Sequence, residues 1–276
     1  MYRYGSRTDS PPCRDEPVAS RTVDAMDFTS VAAPGALIVV TAAGRSQRFA
    51  EHGVSGPKWA LPLGDQTMLE RAIRSLEPII QGDSQLRLVV TEDQLPYLKR
   101  ISGSLPPFTI SIADRPIPPG QALDTMHAIG DADHDAPLVV WNADTILESS
   151  VFAAGVPDGA WLLLSEQPGE HWSFAALDGD RVTSTAEKCR ISSWASAGLY
   201  AFATVQQFRD AVDAELATHA PGTEMYIAPL YNRLIAHGHP VRALKAPSTS
   251  VTCVGTPAEY RSACLSSRWS IPGDLR

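Results

Sequence analysis

Cysteine is scarce: four residues in 276, at positions 13, 189, 253 and 264, with no C-x-x-C among them. That spacing builds neither a zinc site nor a disulfide framework, and reduced thiols in a cytoplasmic protein are its simplest reading. Long apolar runs are missing too. None approaches the roughly 20 residues that cross a bilayer, and the N-terminus lacks the apolar stretch of a secretory signal; no membrane partner is expected. Positive charge is in deficit, with 23 Lys+Arg against 31 Asp+Glu and a net charge of −8. A general nucleic-acid binder needs a basic surface, so nucleic acid is excluded as a partner, although a local cationic pocket for one nucleotide is not. The seven histidines form no H-E-x-x-H, and G-x-S-x-G is absent, which removes the common zinc-hydrolase and serine-hydrolase signatures. Neither G-x-G-x-x-G nor G-x-x-x-x-G-K-[ST] occurs, so the usual dinucleotide and Walker loops are also out.

What remains is an ordinary globular composition, 44% hydrophobic and 20% charged. Residues 1–34 are rich in Ser, Arg, Asp and Pro, have no apolar period, and read as a disordered leader. Met26, just ahead of the first strand, is a second candidate start. Residues 35–276 read as one domain, with a change of texture between 35–150 and 151–276. Within it, strand and helix signals alternate. ALIVVTA, LRLVVT, FTISIA and PLVVWNAD read as buried strands. Between them, TMLERAIRSL carries Thr67 as an N-cap with Glu70 at the capping-box position, and DQLPYLKRI and GQALDTMHAI read as further helices. Later come strand-like WLLLSE, WSFAALD and RVTSTAEK, with LDGD as a hairpin turn. Helices are then expected over TVQQFRDAVDAELATH and EMYIAPLYNRLIAHG, strands at VRALKA and SVTCV, and a last helix from Thr256 with Pro257 in its first turn. The fold class expected is α/β, Rossmann-like, with a mostly parallel or mixed central sheet and helices on both faces. Ligands of such sheets sit beyond the carboxyl ends of the strands.

Two such ends carry chemistry. After ALIVV the chain runs TAAGRSQRFAEHGVSGPKWALPL. Small residues and Gly44 let backbone N–H groups approach an anion closely, and Arg48 and Lys58 bring positive charge, which is what a polyphosphate site requires. After PLVVW stands Asp144, a hard oxygen ligand of the kind magnesium takes.

These residues resemble the sugar-phosphate nucleotidyltransferases, or nucleoside-diphosphate-sugar pyrophosphorylases. The family opens with A-A-G-x-G-x-R-F and a downstream P-K, matched by Ala42, Ala43, Gly44, Arg48, Phe49, Pro57 and Lys58, with Ser46 in place of the second glycine. Further matches are PPGQALDTMHAI, VVWNADTIL, AEKCRISSWASAGLYAF and VGTPAEY. The resemblance implies a GT-A-like fold and a nucleoside triphosphate and a sugar (or sugar-like cyclitol) 1-phosphate as substrates. Nucleotide contacts would come from Ala42, Ala43, Gly44, Ser46, Gly120 and Gln121. Arg48, Lys58 and Asp144 would be catalytic, Asp144 also holding Mg2+. Glu187, Lys188, Gly198 and Tyr200 would form the sugar pocket. Many members have an aspartate where this chain has Cys253, a poor magnesium ligand; Glu224 is then a candidate second carboxylate.

Each motif alone has a plainer reading. Arg48 could be a surface cation, Asp144 a helix cap, Gln121 a polar residue at a helix start, and Trp59, Trp141 and Trp161 core. It is their order along the chain that carries the resemblance. Rivals remain: cytidylyl transfer to phosphocholine or a phosphonate, a glycosyltransferase (which would want D-x-D where Asn142–Asp144 reads NAD), and a non-catalytic nucleotide-sugar binder. Base, sugar and homo-oligomeric state stay open.

Overall fold

The computed structural model describes residues 28–29, 35–80, 82–113 and 120–269. Nine strands share one sheet: Leu37–Thr41 (β1), Gln85–Val90 (β2), Thr109–Ile112 (β3), Leu138–Asn142 (β4), Ala160–Glu166 (β5), Ser173–Asp178 (β6), Arg181–Glu187 (β7), Trp194–Phe202 (β8) and Val241–Ala246 (β9). Their order is β5-β9-β7-β6-β8-β4-β1-β2-β3, with β5 also pairing β8. Strands β3, β2, β1 and β4 are mutually parallel. From β8 onward most pairings are antiparallel, with β5 and β9 the parallel exception. The sheet is therefore mixed. The parallel half is where helical crossovers intervene, and the antiparallel half is where short turns do; at LDGD, Asp178 pairs Arg181 across a two-residue turn.

The parallel strands are buried on both sides, as their unbroken apolar runs require. Side chains alternate across a strand, so Ile38 and Val40 of β1 enter one core while Leu37 and Val39 enter the other. Met68–Arg74 (α2) and Leu95–Ile101 (α3) cover the first face; Gly120–Ile129 (α4), Val205–Leu216 (α5) and Leu230–Ala236 (α6) cover the second. A four-residue α1, Gln47–Ala50, follows β1, and Pro257–Leu265 (α7) packs through Ala263 in a third apolar cluster with Leu63, Met68, Ile146 and Val254.

Helix starts follow the expected chemistry. Thr67 and Glu70 form a capping box on α2, Thr256 and Glu259 form another on α7 with Pro257 in its first turn, and Thr204 caps α5. The helix expected from Glu224 begins only at Leu230. Pro229 has no N–H to give a helix interior, and the backbone of Met225 is engaged elsewhere, its carbonyl accepting from Ala122 N at 3.1 Å. Phe28–Thr29, within the expected leader, pairs antiparallel with Val156–Pro157; the rest of 1–34, Met26 included, lies outside the described residues.

Two registers position the site. Thr41 pairs Asn142, so the carboxyl ends of β1 and β4 emerge side by side. Val251–Cys253 pairs antiparallel with Thr145–Leu147 just beyond β4, and Val254 N donates to Asp144 O at 2.9 Å. Residues from three distant parts of the chain are thereby brought to Asp144.

Candidate active site

A cavity of about 930 Å³ opens over the ends of β1 and β4. Its wall includes Ala42, Ala43, Gly44, Ser46, Arg48, Lys58, Gly120, Gln121, Asp144, Glu187, Gly198 and Tyr200. Every residue expected in the site lines it except Lys188, which stands at the rim.

The cationic wall comes first. Lys58 Nζ donates to Asp144 Oδ2 at 2.5 Å and to Gly255 O at 3.4 Å, with the two charged side chains 22% and 24% exposed. The acid after β4 is thus in direct contact with the cation after β1. Arg48, exposed on α1, also lines the cavity, and among the described residues its guanidinium has no ion-pair partner. Gly44 has an ordinary φ and open space where a Cβ would go; its lack of a side chain leaves the approach to the backbone clear. Trp59, next to Lys58, is buried with Nε1 donating to Ala42 O at 2.9 Å, which ties the P-K segment to the end of β1. Ser46 has φ 54 and ψ 26, the left-handed conformation that favours glycine.

Deeper in, Gln121 Nε2 donates to Asn142 Oδ1 at 2.7 Å and to Thr41 Oγ1 at 3.3 Å. Gln121 is therefore anchored to the ends of β1 and β4, and its carboxamide oxygen is the atom left for a ligand. Gly198 (φ +84) is what makes room for Asn142: a Cβ there would lie 2.5 Å from Asn142 Nδ2. Gly120 is equally constrained, with φ +76 and a would-be Cβ 2.5 Å from Met225 N.

The other end is acidic and aromatic. Ser173 Oγ donates to Glu187 Oε2, Lys188 Nζ lies 3.6 Å from Glu187 Oε1 and donates to Tyr226 Oη at 2.6 Å, and Tyr226 Oη donates to Glu224 Oε2 at 2.5 Å. Lys188 Nζ also stands 4.4 Å from the centre of the Tyr226 ring. Burial pushes the Glu187 carboxyl above its usual range; Ser173 and Lys188 oppose that, and Glu224 adds to it. Burial works against the Lys188 ammonium, yet Tyr226, Glu187 and Glu224 together hold its pKa above the ordinary lysine value. Burial likewise raises the phenol of Tyr200, which is 4% exposed. Among the described residues, the non-glycine positions with positive φ are Ser46 and Lys188, and strained backbone of this kind concentrates at functional sites.

Several lining residues escaped the sequence reading. His171, Trp172 and Ser173 arrive from the β5–β6 connection, His171 Nε2 reaching to 3.6 Å from Glu259 Oε1 on α7. Tyr226 was hidden inside a stretch read as helix. Glu224, considered as a metal ligand, sits instead with Tyr226 and the Glu187–Lys188 pair. Trp194 does not line the cavity, and Trp141 and Trp161 are core. Cys253 does line it, but burial, with Glu259 and Asp144 nearby, pushes its thiol up to about 12. A soft thiol so reluctant to ionise is a poor ligand for magnesium.

Residues 38–173 match the model of the MobA-like NTP transferase domain. No curated protein sequence matches the chain. Among solved structures, a nucleoside-diphosphate-sugar pyrophosphorylase from Vibrio cholerae RC9 superposes with a TM-score of 0.72 at 24% identity, over 83% of this chain and 100% of that one. The inositol-1-phosphate CTP transferase from T. maritima gives 0.68 at 14% identity, over 88% and 94%. A Bacillus anthracis structure, described as a glucose-1-phosphate thymidylyltransferase in complex with a sucrose, gives 0.65 at 18% identity, over 83% and 94%. Among the described residues no helix is long and apolar enough to cross a membrane. Residues 38–173 thus carry a MobA-like NTP transferase domain, and the chain shares its fold with these solved structures.

Proposed function

We propose that the protein couples a nucleoside triphosphate to a sugar or cyclitol 1-phosphate, releasing pyrophosphate. The observation that carries this reading is that Arg48, Lys58 and Asp144, the last two in direct contact, line one cavity together with Glu187 and Glu224. In this reading residues 35–150 supply the nucleotide half and residues 151–276 the acceptor half of one domain. A phosphate oxygen of the acceptor attacks the α-phosphorus in line; the bond from that phosphorus to the β-bridging oxygen breaks, and pyrophosphate leaves with the electron pair. No enzyme nucleophile is needed, and positioning with charge neutralisation does the work.

In this reading Lys58 touches the reacting phosphates once a ligand draws it from Asp144, and Arg48 holds the leaving pyrophosphate. Ala42, Ala43, Gly44 and Ser46 give a loop that a triphosphate can approach, with Gly120 and Gln121 beside the base. Asp144 is the residue that would hold Mg2+. Its hard carboxylate oxygen is a donor that suits that ion. Magnesium takes few protein ligands and keeps waters and substrate phosphates in its shell. Gly255 leaves space beside Asp144 Oδ2, where a Cβ would come within 2.9 Å. Bound there, the ion would neutralise phosphate charge as a Lewis acid.

At the acceptor end Glu187 accepts hydroxyl hydrogens, with Gly198 and Tyr200 shaping the pocket and Lys188 holding Glu187 from the rim. The rival acceptor, phosphocholine, wants free aromatic faces. Trp172 and Tyr226 both line the cavity, so phosphocholine stays in the test panel; the fold likeness to an inositol-1-phosphate CTP transferase supports including cyclitols. The test is pyrophosphate release by the purified chain with magnesium, each common nucleoside triphosphate, and a panel of hexose 1-phosphates, inositol 1-phosphate and phosphocholine. Release with a sugar or inositol phosphate is expected. Release only with phosphocholine moves the assignment to that acceptor, and no release with any pair favours a non-catalytic binder.

A further inference from the structure

Ser46 makes a contact that no feature of its own helix explains. It stands at the N-cap position of α1, where a serine hydroxyl ordinarily accepts from the helix's own first-turn N–H groups. Here it makes no such bond. Ser46 Oγ instead accepts from the backbone N–H of Lys58 at 2.8 Å, across twelve residues of chain. The geometry sits in a left-handed backbone conformation, φ 54, that costs a serine more than a glycine. The same loop carries Arg48 two residues later, and Lys58 reaches Asp144 and Gly255 O from the other side.

We infer that Ser46 is a positioning residue that fastens the first loop to the P-K segment. It sets the separation of Arg48 and Lys58 so that both cations meet one polyphosphate. The bond satisfies a backbone donor at the site, holds the start of the short 3-10 turn Lys58–Ala60, and leaves the serine hydrogen free to donate to a phosphate oxygen. This rests on the polyphosphate reading given above, and the test separates the two.

Ser46→Gly is the discriminating variant. It relieves the backbone conformation and removes the hydroxyl; Ser46→Ala removes the hydroxyl and keeps the backbone cost. A backbone-only role makes Ser46→Gly equal to or better than the wild type. The positioning role makes both variants worse. Two measurements on the full chain read this. The first is acetylation of Lys58 by an N-hydroxysuccinimide ester, followed by mass spectrometry, without any ligand. The second is calorimetric binding of magnesium tripolyphosphate. Both variants are expected to label Lys58 several-fold faster, with labelling of the exposed Lys99 unchanged, and to bind tripolyphosphate about threefold to tenfold more weakly, the worth of one hydrogen bond. Their thermal unfolding should show Ser46→Gly no less stable than Ser46→Ala. Unchanged Lys58 labelling and binding in Ser46→Gly would overturn the inference. Failure of the wild type to bind tripolyphosphate would sink the polyphosphate reading alone, since the labelling comparison still decides whether Ser46 holds Lys58.

Discussion

Gly120→Ala tests how the two substrate ends are joined. Gly120 has φ +76, and a Cβ there would come 2.5 Å from Met225 N and 2.9 Å from Met225 C. Moving alanine into the left-handed region costs about 1–2 kcal/mol. The overlap is with backbone, so no rotamer change relieves it. The Met225 segment must shift by about 1 Å, and overpacking of that kind costs about 1–3 kcal/mol. The shift also pulls the carbonyl of Met225 from Ala122 N, a bond of 3.1 Å. The expected loss is about 2–5 kcal/mol, a large part of the 5–15 kcal/mol typical of a folded domain. Because Glu224 and Tyr226 flank Met225 and line the cavity, acceptor use should fall along with stability. Urea denaturation followed by circular dichroism, with pyrophosphate release on the folded fraction, measures both. A loss under about 1 kcal/mol would refute the argument that this glycine is demanded by Met225.

Gly44→Ala is the opposite case: its Cβ meets nothing within 4 Å and its φ is ordinary, so stability should change by less than about 0.5 kcal/mol while pyrophosphate release collapses. Arg48→Ala and Lys58→Ala should each lower turnover about a hundredfold or more, the worth of one charge-assisted contact at about 2–4 kcal/mol, with circular dichroism unchanged; near-normal rates would remove them from the mechanism. Glu187→Gln should impair acceptor use yet raise the melting temperature at neutral pH. The carboxyl's pKa is raised in the fold, so the folded state favours the protonated form and loses stability as pH climbs past the unfolded value toward the folded one. The neutral amide removes that loss, and a wild type that gains stability over the same pH interval would contradict it.

The Glu187–Glu224–Tyr226–Lys188 cluster shows why the acceptor end was only partly legible. Glu187 and Lys188 are neighbours at the end of β7 and could be matched as a dipeptide, but Tyr226 and Glu224 reach them from across the fold. Lys188 itself was expected in the pocket and lies at the rim, 53% exposed, because its positive φ turns the chain as β7 ends. Likewise, Glu224–Gly238 has a helical texture, and only the engagement of Met225 by α4 shows that its first residues are not helix.

Local periodicity and chemistry determined the strand–helix alternation, the capping box at Thr67, the helix start at Thr256, and the glycine loop with its two cations. Those depend on residues within a turn or two of each other, and near-neighbour sterics and hydrogen bonding settle them. The register that sets Thr41 beside Asn142, the contact of Lys58 with Asp144, the seating of Met225 on Gly120, and the division of the sheet into parallel and antiparallel halves came only with the tertiary structure. They are contacts between segments far apart in the chain, chosen by the packing of the whole core, and no local signal encodes them.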